Sequence, residues 1–287
     1  MTFDADSLGL QASALALVRD VIHERLGVYY ENSRFDILAD RIAPLVAASG
    51  FSSFLDYFYL LKYDGDSADQ WAQVMDAISV PESYFWREMD QVHALTTHLM
   101  PELARRTSGP IRIWSVPCAS GEEPLTLALV LDQQGWFGRA TIEIHAGDAS
   151  RAALARAAAG LYRERAFRSL PQHHRDRYFR ACGDKWQVDP KLHARVTSWR
   201  QINLMDPADA RMIGLADVIF CRNVFIYFSE QGVRQVVGAF ADAKPAAAYL
   251  CVGASESLLR LTNRFELEEI GGAFIYVKQP AAARLVS

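Results

Sequence analysis

Two adjacent acids, Glu122 and Glu123, follow Gly121 shortly after an apolar run, IRIWSV, at 111–116. The stretch PCASGEEPLTLALVLDQQG, at 117–135, reads as the tight loop and helix that leave a β-strand. A helix N-terminus carries partial positive charge and free N–H groups, and phosphate is its usual guest. Two carboxylates there already occupy the favourable position and repel a pyrophosphate, so the ligand they suit is cationic or zwitterionic. A purely structural account stands beside this one: first-turn acids, with Pro124 in the same turn, contribute about 0.3–1 kcal/mol each.

The next apolar run, TIEIHAGD, ends in Asp148. An acid at the end of the second strand of an open α/β sheet characteristically takes ribose hydroxyls. Ribose plus a positive group and no phosphate describes S-adenosylmethionine. GDAS can also cap the helix RAALARAAAG, and the two roles are compatible. A third run ends in DVIFCRNVFIYF, which sets Arg222, Asn223 and Tyr227 at the edge where such sheets bind ligands. An Arg-Asn pair after a strand is, taken alone, more often structural.

These residues need a scaffold. From 8 to 80 the apolar positions recur at helical spacing, as in LALVRDVIHERLGV and FSSFLDYFYLLKY, which predicts an all-helical unit over 1–78. SVPESYFWRE lies in a connector over 79–92 that contributes to the ligand site. From 111 onward strand-like runs at IRIWSV, TIEIHAG, ADVIFCR and AAAYLCVG alternate with helical stretches, which predicts a mostly parallel, helix-covered sheet within 93–280. Turn residues punctuate RYFRACGDKWQVDPKLHARVTSW, so a small antiparallel insertion is expected at about 178–200. RFELEEIGGAFIYVKQ reads as a closing hairpin around Gly271 and Gly272, and the tail PAAARLVS as a linker or loose terminus.

ESYFWRE, PCASGEEPLTLA, GDAS, INL and DVIFCRNVFIYF occur in the order and approximate spacing of the chemotaxis receptor methyltransferases, the CheR family, and the chain resembles that family over nearly its whole length. The resemblance implies a Rossmann-like methyltransferase sheet behind an all-helical N-terminal domain. It implies an enzyme that moves a methyl group from S-adenosylmethionine to glutamate side chains of a receptor, leaving S-adenosylhomocysteine. By the same resemblance Ser83 and Arg87 meet the cofactor and Glu122 and Glu123 line its methionine end. Asp148 takes the ribose, Asn203 and Leu204 lie beside the adenine, Arg222 and Asn223 close the pocket, and Tyr227 lies near the transferable methyl. In the family, basic residues of the helical unit contact the receptor's cytoplasmic methylation helices; Arg25, Arg34 and Arg41 are the candidates here, diluted by Asp36 and Asp40. Two departures stand out. Val116 and Pro117 precede Cys118 where the family's loop opens with a glycine, and the insertion lacks the paired glycines that accompany docking of a receptor's pentapeptide tether, so tether docking is not expected.

Methyl transfer to a carboxylate needs no general base, because a glutamate with a reference pKa of about 4.3 is already ionised near neutral pH. The enzyme then contributes alignment and exclusion of water. Arg87 can clamp a carboxylate, the cofactor's or the substrate's, and Tyr227 can orient the incoming oxygen; both are the catalytic candidates. A cofactor-binding scaffold without turnover is the alternative reading. The Asn/Asp-Pro-Pro-Tyr/Phe segment frequent in small-molecule N-methyltransferases is replaced by Arg-Asn-Val-Phe, and the loop lacks the GxGxxG of dehydrogenases.

The remaining composition restricts the alternatives. The chain has 287 residues, 51% hydrophobic and 22% charged, as expected for a folded protein with a large core. A net charge of -4 argues against nucleic-acid binding. The longest apolar run, AAAYLCVGA, is too short to cross a bilayer, no basic segment precedes an apolar leader, and a cytoplasmic location is expected. Cys118, Cys182, Cys221 and Cys251 form no CxxC pair and read as reduced thiols. No metal is expected: His173 with His174 and His93 with His98 lack i, i+4 spacing, and adjacent side chains should diverge. The arginines between Arg163 and Arg180 read as a solvated face, with steering toward an acidic partner as the other possibility.

Overall fold

The computed structural model describes residues 12–64, 67–80, 82–244 and 247–278. Residues 8–11 of the helical stretch and the tail PAAARLVS lie outside them. Four helices make the N-terminal unit: α1 (Ala12–Leu26), α2 (Phe35–Ala48), α3 (Phe54–Tyr63) and α4 (Ala68–Ile78). Leu15, Val18 and Ile22 recur at helical spacing and meet Leu38, Ile42, Phe54 and Tyr57 in a core of their own. Ser53 caps α3 by accepting from the Asp56 N–H, while its hydroxyl donates to the Asp56 carboxylate at 2.7 Å.

The connector is irregular from Ser79 to Glu88, and Phe85 drives its burial. That ring packs against Tyr162, Phe167 and Phe179 at 4.8–5.2 Å between centroids. Helices α5 (Met89–Ala94) and α6 (Met100–Arg106), joined by a π turn at Leu95–Leu99, lead into the sheet. There follow β1 (Ile111–Ser115), α7 (Glu122–Gln133), β2 (Ile142–Asp148), α8 (Arg151–Ala159), β3 (Leu161–Arg163), α9 (Gln172–Tyr178), β4 (Phe179–Cys182), β5 (Lys185–Val188), α10 (Pro190–His193) and β6 (Val196–Gln201). The chain continues through α11 (Pro207–Gly214), β7 (Val218–Phe220), α12 (Glu230–Ala243), β8 (Ala248–Cys251), β9 (Glu266–Ile270) and β10 (Ala273–Lys278).

The seven-stranded sheet runs β6-β2-β1-β7-β8-β10-β9. Its first five strands are parallel, and the hairpin β9-β10 closes it antiparallel through β8. Strand order reverses between β1 and β7, and Ser115 lies opposite both Ala146 and Phe220, so the exits of β1, β2 and β7 share one edge. That edge is where an open α/β sheet receives a ligand.

The expected antiparallel insertion exists with different bounds. The second sheet, β3-β5-β4, starts at Leu161 and ends at Val188, whereas Val196–Gln201, assigned above to the insertion, pairs parallel with β2 as the edge of the main sheet. Local turn residues mark hairpins but are silent about a crossover strand paired far away in the chain. No helix among the described residues is long and apolar enough to cross a membrane.

Candidate active site

The strand exits enclose a cavity of about 290 Å³, roofed by the N-terminal helices. Its floor is the loop after β1. The Cys118 N–H donates to the Gly147 carbonyl at 2.7 Å, and the Ala119 N–H to Asp148 Oδ2 at 2.8 Å. The other oxygen, Oδ1, accepts from the Ser150 N–H at 2.9 Å. Asp148 thus ties two loops together. The cap of α8 is Ser150, which accepts from the Ala153 N–H, and not Asp148 as GDAS allowed. Burial pushes the Asp148 carboxyl up from its ordinary value, against the two N–H donors.

Gly121 begins α7 with φ +94°, and a Cβ there would stand 2.9 Å from the Trp199 ring, so glycine is needed both for the turn and for the contact. The two acids beyond it diverge. Glu123 lines the cavity; it accepts from Ser115 Oγ at 2.7 Å and pairs with Arg222 Nη1 at 3.3 Å. Glu122 is 4% exposed and stands behind the wall, hydrogen-bonded to Ser120 Oγ at 3.0 Å and to Ser83. Burial raises both carboxyls: Ser120 and Ser83 oppose it at Glu122, Arg222 and Ser115 at Glu123.

Arg222, with 2% of its side chain exposed, reaches three groups at the exit of β7. Its Nη2 donates to the Arg87 carbonyl at 2.9 Å and to Glu88 Oε2 at 3.1 Å, and its Nη1 meets Glu123. Its buried Nε has no hydrogen-bond partner among the described residues. Asn223 takes φ +60°, its N–H donates to Glu256 at 2.8 Å, and its side chain donates to Glu88 Oε1 at 3.3 Å. Arg87 lines the same cavity, partly exposed, with Nη1 on the Glu82 carbonyl at 3.0 Å. At the far end Asn203 and Leu204 line the wall, and the Asn203 amide donates to the Arg25 carbonyl at 2.8 Å. Tyr227 sits on the rim, 37% exposed, and its carbonyl accepts from the Tyr29 N–H at 2.8 Å.

Residues 81–273 match the CheR methyltransferase SAM-binding domain, and residues 13–79 match the CheR methyltransferase all-alpha domain. The chain belongs to the CheR methyltransferase family. It is 32% identical to chemotaxis protein methyltransferase 2 of Vibrio cholerae, over 91% of each chain. It is 29% identical to chemotaxis protein methyltransferase 1 of Pseudomonas aeruginosa, over 91% of this chain and 96% of that one. The chemotaxis protein methyltransferase of Listeria monocytogenes is 31% identical over 83% of this chain and 87% of its own.

The cavity of this CheR protein fits S-adenosylmethionine on its own chemistry. Glu123 offers carboxylate oxygen to an ammonium, while Arg87 and the unpartnered Nε of Arg222 offer N–H groups to a carboxylate, as a zwitterionic end requires. Asp148 keeps acceptor capacity for hydroxyls beyond the two N–H bonds it already accepts.

Nine of the ten sequence-derived site residues line this one cavity; the tenth, Glu122, backs it through Ser83. Glu88 was missed, although it is adjacent to Arg87 and bonds Arg222 and Asn223. The contribution of the helical domain was also missed. Tyr30, Arg34 and Arg41 line the cavity, and the Arg41 guanidinium donates to the Ile78 carbonyl at 2.5 Å, so it faces inward as well as being a candidate for receptor contact. Arg25 lies over the Trp71 ring at 4.9 Å. His173 and His174 do not diverge: their rings stand 3.8 Å apart, because His174 is drawn onto Trp86 and Gln133. Arg168 stacks on Tyr84 and Arg175 pairs with Glu164, so part of the arginine-rich stretch serves its own fold.

Proposed function

We propose that this methyltransferase esterifies glutamate side chains on the cytoplasmic methylation helices of a chemoreceptor, and that it does so in the cytoplasm. The observation that carries the reading is the pairing, in one cavity, of Glu123 with Arg87 and Arg222 below a rim that holds Tyr227. S-adenosylmethionine supplies, when bound, a methyl group on a positively charged sulfur that a carboxylate can attack.

Ser83, Arg87, Glu123, Asp148, Asn203, Leu204, Arg222 and Asn223 hold it, and Glu122 supports Ser83 from behind. A substrate glutamate arrives ionised, so no residue has to remove a proton. Tyr227, half exposed at the mouth, orients the incoming oxygen through its hydroxyl, and Arg87 neutralises carboxylate charge beside it. The helical domain narrows the mouth: Val28 bridges to Phe228 and Tyr29 to Tyr227, which removes water from the reacting oxygen.

Incubation with methyl-labelled S-adenosylmethionine and membranes from the source cell tests this. The label should appear on receptor protein and leave as methanol on mild alkali. Alkali-stable label on nitrogen or sulfur refutes glutamate as the acceptor.

A further inference from the structure

Glu88 occupies a backbone conformation that side chains rarely adopt, φ +48° and ψ +64°. Nothing in that turn demands glutamate for space. Its carboxylate instead collects three donors from two distant segments: Arg222 Nη2 at 3.1 Å, the Asn223 amide at 3.3 Å and the Ala254 N–H at 3.2 Å. Backbone strain held by this many side-chain bonds points to a role at the site. Burial raises its pKa, but Arg222, Asn223 and Ala254 outweigh burial and hold the carboxyl below the ordinary glutamate value.

The second partner of Arg222 is Glu123, at 3.3 Å. One guanidinium therefore stands between two carboxylates, and with 2% of the Arg222 side chain exposed water screens it little. Two acids around one base leave a net negative charge. Because Glu88 draws on Nη2, the Glu123 carboxylate is only partly neutralised through Nη1 and retains attraction for a cation in the cavity. Without the Glu88 charge, Arg222 would be opposed by Glu123 alone, and the two would close into a neutral pair.

We infer that Glu88 is a positioning residue that sets cofactor affinity at its amino-acid end, by occupying Arg222 so that Glu123 stays free for the ligand's ammonium. The inference rests on the S-adenosylmethionine reading of the cavity. It assigns Glu88 no contact with the ligand.

Two ligands separate the effect from general damage. S-adenosylhomocysteine carries the ammonium, and 5′-methylthioadenosine keeps the adenosine and thioether without the amino-acid end. Titration calorimetry on the wild type, Glu88→Gln and Glu88→Asp gives the readout. Glu88→Gln should weaken S-adenosylhomocysteine at least tenfold and change 5′-methylthioadenosine less than twofold. Glu88→Asp keeps the charge one methylene further back and should lose about threefold with the same selectivity, which preserves the test if the glutamine variant does not fold. In a Glu123→Gln background, Glu88→Gln should add less than threefold. Equal losses for both ligands, or no loss for either, overturn the inference while leaving the cofactor reading intact. A wild type that binds neither ligand overturns both.

Discussion

Neutralising the two adjacent acids one at a time should give opposite signatures. In Glu123→Gln the oxygen that accepts from Ser115 survives, but an NH2 group replaces the oxygen facing Arg222 Nη1 at 3.3 Å, so a donor meets a donor and the cavity loses its charged acceptor. One hydrogen bond involving a charged group is worth about 1.5–3 kcal/mol, which corresponds to roughly 10- to 150-fold in the dissociation constant of S-adenosylhomocysteine. Folding stability should change less, because removing first-turn charge costs about 0.3–1 kcal/mol and relief of a buried carboxylate of raised pKa offsets it. Glu122→Gln should leave the dissociation constant within twofold, since Glu122 reaches the cavity only through Ser83 and a glutamine oxygen still accepts from Ser120. Calorimetric titration with paired melting curves reads both axes. Equal affinity losses, or a larger loss in Glu122→Gln, would refute the geometry argued for this loop.

Asp148→Ala should weaken S-adenosylmethionine and S-adenosylhomocysteine alike and also lower the melting temperature, because the Ala119 and Ser150 N–H groups lose their acceptor; unchanged calorimetric affinity removes Asp148 from the ribose. The pH dependence has a definite sign. Glu122, Glu123 and Asp148 have raised pKa values when folded, so the unfolded chain ionises first, and their contribution to stability is lost as pH climbs from about 4 through the raised values. An ammonium favours ionised Glu123, so the melting-temperature gain from S-adenosylhomocysteine should grow with pH across that window; a gain that does not vary between pH 5 and 8 counts against Glu123 as its partner. Gly253→Ala would place a Cβ 2.5 Å from the Asn223 amide and 2.9 Å from Glu256, and should cost about 1–3 kcal/mol by overpacking, read by urea denaturation, together with cofactor affinity. A receptor-tail pentapeptide should show no measurable affinity in titrations against the β3-β5-β4 sheet region, and a micromolar isotherm lost on altering β4 would refute this.

The sequence by itself determined the class of ligand and most of its contacts. Strand runs end where polarity begins, and in a parallel sheet those ends share an edge, so Glu123, Asp148, Arg222 and Asn223 could be placed together from pattern alone. The motifs brought in Ser83, Arg87, Asn203, Leu204 and Tyr227 through resemblance, since nothing local in ESYFWRE or INL announces a cavity. What only the tertiary structure decided involves pairs distant along the chain. Which of two adjacent glutamates faces inward depends on Ser115 and Arg222 on one side and Ser120 and Ser83 on the other. The strand at Val196–Gln201 was hidden because its pairing with β2 spans a long crossover, and the inward turn of Arg41 because its acceptor, the Ile78 carbonyl, belongs to another helix. Glu88 was hidden for the same reason: its three donors come from segments more than 130 residues away, and such bonds exist only once the chain has folded.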